Sequence, residues 1–98
     1  MKTDLLKIKT IINKHINLLR QDYGVKNIGI FGSVASRTNK VSSDIDILVE
    51  FSSPVGFFKF IELEEALSEM LGKRVDLVTK KALKPIIKEQ ILQETVYV

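Results

Sequence analysis

The chain has no cysteine and no tryptophan, and only one histidine and two prolines among its 98 residues. Without cysteine there is no disulfide, no thiol nucleophile and no cysteine-based zinc site, and the composition leans towards a reducing, cytoplasmic setting. With no second histidine to join it, His15 reads as a structural residue at the edge of a helical stripe. No apolar run approaches the roughly 18 residues that a membrane span requires. The opening MKTDLLKIKT carries charge where a signal peptide would be apolar, so neither a leader nor a membrane partner is expected. What is present is an ordinary globular balance, 45% hydrophobic and 28% charged, enough for one domain over 1–98 with little room for a second. The net charge of +3 is what a soluble domain commonly carries. With neither stacking aromatics nor a helix-turn-helix pattern, nucleic acid is not an expected partner. The charge is unevenly placed, however. Glu62, Glu64, Glu65 and Glu69 make one acidic helix, and Lys73, Arg74, Lys80, Lys81, Lys84 and Lys88 crowd the last third, a basic stripe that could serve phosphates but reads first as a solvated face.

Leu5, Ile8, Ile11, Ile12, Ile16 and Leu19 recur at three- and four-residue steps, which predicts an amphipathic helix over about residues 3–22, stopped by Gly24. Residues 25–31 form a β-branched run ending at Gly32-Ser33, the first predicted strand, with a helical turn over Ser33–Arg37. From Asp44 to Phe51 apolar residues alternate with others, the clearest strand in the chain. Ser52 to Gly56 breaks the chain, and Phe57, Phe60, Ile61, Leu67, Met70 and Leu71 mark a second long helix ending at Gly72. A third strand follows over Arg74–Thr79, and Pro85 opens a last helix that runs to about Glu94. This order gives an α/β (α+β) domain, a small mixed sheet of about three strands with helices packed on it.

The chemistry lies in the acids. Asp44 and Asp46 are two residues apart on one strand, so both side chains point the same way, with Cα atoms about 6.5–7 Å apart. Like charges held that close repel unless a cation sits between them, and magnesium, with hard oxygen ligands and coordination sites left for phosphate, is the economical solution. A lone Asp-x-Asp more often marks a tolerant strand edge. Here Gly32-Ser33 ends the preceding strand, where glycine allows close approach to the backbone, serine offers a hydroxyl, and a helical turn points free N–H groups at an anion. A third acid, Asp76, lies midway along a short apolar strand, a costly place for an unpartnered carboxylate. If its strand pairs beside the second, the three acids can converge and hold two metal ions, which clamp the attacking and leaving oxygens of an in-line displacement.

Gly32-Ser33, ten residues, then Asp44-x-Asp46, with Asp76 on a later strand, resembles the signature of the DNA polymerase β-type nucleotidyltransferase superfamily. The short length, the strand Val75-Asp76-Leu77-Val78 and the ending Glu94-Thr95-Val96-Tyr97-Val98 are similar, more narrowly, to the minimal nucleotidyltransferase (MNT) proteins, the antitoxin half of HEPN–MNT toxin–antitoxin pairs; the similarity spans roughly residues 25–98. The resemblance implies a nucleotidyltransferase-like fold and Mg2+-dependent transfer of AMP from ATP to a tyrosine of a HEPN-type ribonuclease toxin, which silences it. It implies that Asp44, Asp46 and Asp76 are catalytic and bind metal, Asp76 also as general base. Gly32 and Ser33 hold the phosphates of the nucleoside triphosphate, and Arg37 can reach one. In one place the chain departs from the pattern: Ser36-Arg37 stands where the family commonly has Arg-Gly.

Two other readings stay open on the residues alone. One is a non-catalytic antitoxin, a binding module that neutralises its partner by contact; the other is a small nucleic-acid-binding protein, resting on the pI of about 9.2. The small size bears on partners. With almost nothing beyond a catalytic core, the chain is expected to form a hetero-oligomer in which a second protein supplies the acceptor surface, and its open strand face also permits homo-oligomers.

Overall fold

A computed structural model describes residues 5–35 and 44–98 of the chain. The elements run α1 (Leu5–Lys14), α2 (Ile16–Tyr23), β1 (Val25–Phe31), α3 (Gly32–Ala35), β2 (Ile45–Phe51), α4 (Phe57–Leu71), β3 (Val75–Thr79), a 3₁₀ turn (Lys80–Ala82), α5 (Pro85–Glu94) and β4 (Val96–Tyr97). The expected α+β architecture is present, with four strands where the sequence indicates three. The sheet order is β3-β2-β1-β4. β1 is antiparallel to both β2 and β4, and β2 is parallel to β3, so the sheet is mixed. The parallel pair is joined by a crossover through α4, the connection that parallel neighbours require.

The predicted first helix is two helices. It breaks at His15, whose ring Nδ1 lies 2.9 Å from the Ile11 carbonyl oxygen. Both pieces keep the apolar stripe: Ile8 and Ile12 of α1 and Leu19 of α2 are buried with Leu63 and Leu67 of α4. These residues meet one face of the sheet, where Ile45, Ile47 and Val49 of β2 are each 0% exposed. The strand's two-residue period therefore sends three large apolar side chains into the core and leaves Asp46, Leu48 and Glu50 on the opposite face.

The added strand has two residues, too few for a periodic signal. Its trace in the sequence is Gly29, a glycine inside a strand. A Cβ at Gly29 would lie 2.5 Å from Thr95 Cγ2 and 3.2 Å from the Val96 carbonyl oxygen, so the missing side chain is what lets β4 close on β1. At the other edge α4 ends at Gly72, in left-handed conformation with φ 63°, and the chain turns back sharply into β3.

Candidate active site

Two adjacent strands bring the acids together. In the parallel pairing of β2 and β3, Asp46 is the direct partner of Asp76. Alternation along each strand keeps the flanking Ile45, Ile47, Val75 and Leu77 buried in the core, so both acids stand on the opposite face. Asp44 immediately precedes β2 and is exposed. Its Oδ2 lies 3.8 Å from Nε of Arg74, the residue preceding β3, and the Ile45 N–H donates to the Arg74 carbonyl across 3.0 Å. All three carboxylates thus occupy the same end of the parallel pair.

Asp46 is the electrostatic focus. Its partial burial, then the charge of Asp76, then that of Asp44, push its carboxyl above the usual range. Each cause disfavours the ionised form, and each would be relieved by a cation beside it. The acids are juxtaposed without being closed into a cage: among the described residues, no three acidic, histidine or cysteine side chains are grouped tightly enough to hold a metal ion. The donor set itself, carboxylate oxygens only, suits a hard divalent ion such as magnesium.

Gly32 completes the geometry. On β1 the residue paired with Asp46 is Phe31, so the bend that follows lies beside the acid. Gly32 has φ 72°, and a Cβ built on it would collide with the Asp46 carboxylate. Glycine is required there twice over, for the left-handed backbone and for the room it leaves the acid. Gly32 and Ser33 open α3, in the place where a helical turn was expected. Arg37, with Ser36 before it, lies outside the described residues.

A well-formed cavity lies elsewhere. A groove of about 790 Å³ sits at the opposite end of β2 and β3, lined by Glu50, Phe57, Phe60, Lys80, Lys81 and Lys88 among others, with none of the three acids in it. Glu50 receives a 2.8 Å hydrogen bond from the Asn27 side-chain amide, which with the nearby Lys80, Lys26 and Lys81 holds its carboxyl below the usual range. Volume alone favours the groove. Convergent acids with a perturbed carboxyl are the stronger sign of chemistry, and they favour the Asp46–Asp76 end.

The sequence reading passed over one residue beside this end. Glu64, which the sequence marks only as one of four acids on its helix, is half-buried and accepts a 3.0 Å hydrogen bond from the Leu77 N–H through Oε2. Its signal was faint: a glutamate next to two buried leucines at helical spacing.

The nucleotidyltransferase domain model matches residues 12–98. The chain belongs to the nucleotidyltransferase domain family. A Thermococcus cleftensis protein named protein adenylyltransferase MntA is 48% identical over 96% of this chain and 95% of its own. A Methanocaldococcus jannaschii protein, whose name proposes a protein adenylyltransferase, is 50% identical over the whole of both chains. Among solved structures, one described as a candidate minimal nucleotidyltransferase superposes with a TM-score of 0.82 at 32% identity, covering 96% of this chain and 95% of that one. A toxin–antitoxin structure with AMP-PNP superposes at 0.71 and 31% identity, covering 87% and 69%. An MNT antitoxin held with a tri-AMPylated HEPN toxin of Shewanella oneidensis superposes at 0.66 and 27%, covering 92% and 70%. In fold and family this nucleotidyltransferase therefore groups with the MNT antitoxins.

Proposed function

We propose that this nucleotidyltransferase moves AMP from ATP to a tyrosine of a HEPN-type toxin and thereby neutralises it, as the antitoxin of a cytoplasmic pair. The observation that carries the reading is the register of Asp46 against Asp76, with the Gly32 bend closed over the Asp46 carboxylate. The relatives support the choice of reaction: one is named a protein adenylyltransferase, and one solved relative is an antitoxin in complex with an AMPylated toxin.

Asp44, Asp46 and Asp76 would hold Mg2+, as one ion or two, which when bound screens the phosphates and stabilises the charge that develops during transfer. Gly32 and Ser33 offer backbone N–H groups at the start of α3 to the triphosphate, and Arg37 serves the same phosphates. Asp76 takes the proton of the acceptor hydroxyl as general base. The tyrosine oxygen bonds to the α-phosphorus, the bond to the bridging oxygen breaks, and pyrophosphate leaves with the electron pair. Because acids and bend stand on the sheet face away from the main helical core, the acceptor can enter from a second protein, in keeping with a hetero-oligomer.

The test is to incubate the chain with ATP, Mg2+ and its cognate HEPN-type protein and weigh the partner intact. One or more added AMP units are expected; an unchanged mass, together with no metal-dependent ATP binding, removes the reading. Ser36-Arg37, in place of the family's Arg-Gly, favours a second reading, neutralisation by contact alone. Replacing both Asp44 and Asp46 with alanine separates the two. Lost neutralisation supports transfer, and undiminished neutralisation supports contact.

A further inference from the structure

β3 is an edge strand, and its outer edge is occupied. Ile45 N–H donates to the Arg74 carbonyl on β3's inner side, so alternation turns the N–H groups of Val75 and Leu77 outward, away from β2. Unpaired donors on an edge are normally left to water or to another chain. Here the Leu77 N–H donates to Glu64 Oε2 at 3.0 Å and the Val75 N–H to Ser68 Oγ at 3.1 Å. The Ser68 hydroxyl in turn donates to the Glu64 carbonyl at 2.9 Å, so it is used as both donor and acceptor.

The fit is metric. Four residues along a helix advance about 6 Å, and two along a strand about 6.6 Å. The pair Glu64 and Ser68, four apart on α4, therefore matches Leu77 and Val75, two apart on β3. They match in antiparallel order, because the chain reverses at Gly72 between the two elements. Leu63 and Leu67, adjacent to this pair in the helix, are each 0% exposed and anchor α4 in the core. The two captured donors flank a single residue, Asp76.

We propose that Glu64 and Ser68 are positioning residues: together they latch β3 to α4 and hold Asp76 level with Asp46. The catalytic half of this rests on the functional reading above; the latch itself does not. A strand pinned on one side only could slide or fray at its edge, and a shift of a few tenths of an ångström at Asp76 would change how two carboxylates share a cation. Glu64 touches neither nucleotide nor acceptor in this account. It acts through the strand.

The test compares Glu64→Ala, Glu64→Gln and Ser68→Ala by residue-resolved amide hydrogen exchange, with Ile30 in β1 as the reference for global opening. In E64A the Leu77 amide should exchange about tenfold faster while Ile30 is unchanged, the factor that a net hydrogen bond to a charged acceptor supports. E64Q keeps a side-chain carbonyl acceptor and should restore protection, and S68A should loosen Val75 in the same way. In nucleotide transfer, E64A should lower kcat and raise the Mg2+ concentration for half-maximal rate about tenfold, with rescue in E64Q and little change in KM for the acceptor. Unchanged exchange at Leu77 and Val75 overturns the latch. Faster exchange with untouched kcat and Mg2+ dependence overturns its role in positioning, leaving only protection of a sheet edge. A wild-type chain that transfers nothing refutes the functional reading and the catalytic half with it, and the exchange data then decide the latch alone.

Discussion

The two faces of β2 are built from one seven-residue strand by opposite rules. On one face Ile45, Ile47 and Val49 are fully buried against helices. On the other, Asp46 stands beside Asp76 with its carboxyl pushed upward by burial and by like charge. Burial of the first face lowers the free energy of the folded state; on the second, the ionised Asp46 carboxylate raises it. Such a cost is expected where a protein holds charges in readiness for a ligand that will balance them. Stability and transfer should therefore separate cleanly by face.

The widest break in that symmetry comes from Asp46→Asn. Transfer should fall by at least about a thousandfold, the consequence of losing several kcal/mol of charge stabilisation, when followed as AMP added to the partner. The metal-free protein should meanwhile become more stable to denaturant. The sign follows from linkage. A folded-state carboxyl held above its ordinary value of 3.8 contributes stability below that pH and loses it as pH rises through the folded value. The advantage of the asparagine variant should therefore be small in acid and grow towards neutrality in paired urea titrations.

Ile47→Ala strikes the other face. It should cost about 2–5 kcal/mol by urea titration, yet leave kcat per folded molecule unchanged. Gly32→Ala mixes the two faces' effects. The left-handed backbone costs about 1–2 kcal/mol in alanine, and the new Cβ displaces the Asp46 carboxylate, so transfer should fall more than stability does. Arg74→Ala should do least. Its ion pair with Asp44 is 3.8 Å long and its side chain is 84% exposed, so a change of under about 1 kcal/mol is expected in thermal unfolding.

Much of this was legible in the sequence because two-residue alternation is a strong constraint. Once Asp44 to Phe51 is a strand, Asp44 and Asp46 must share a face, and Ile45, Ile47 and Val49 must share the other. Which strand lies beside it is a tertiary fact, and the register of Asp46 with Asp76 is set by how the crossover through α4 packs, which neither strand's own pattern encodes. The break at His15 carries no proline or glycine to announce it. β4 is too short to show a period, and only Gly29 hints at its approach. Glu64 was concealed by its neighbours Glu62, Glu65 and Glu69, since nothing in a helical acid's identity says that a strand amide will point at it. α5 misleads in the opposite direction: it starts at Pro85 as expected, but Ile86 is 90% exposed and none of the helix's residues is buried.

Calorimetric titration of ATP into the protein, with and without Mg2+, in wild type and Asp46→Asn, puts the carboxylate face to the most direct test. Binding that requires both the ion and the acid is the predicted result. Equal ATP affinity in all four combinations would contradict the account, because the acids would then be bystanders to the nucleotide.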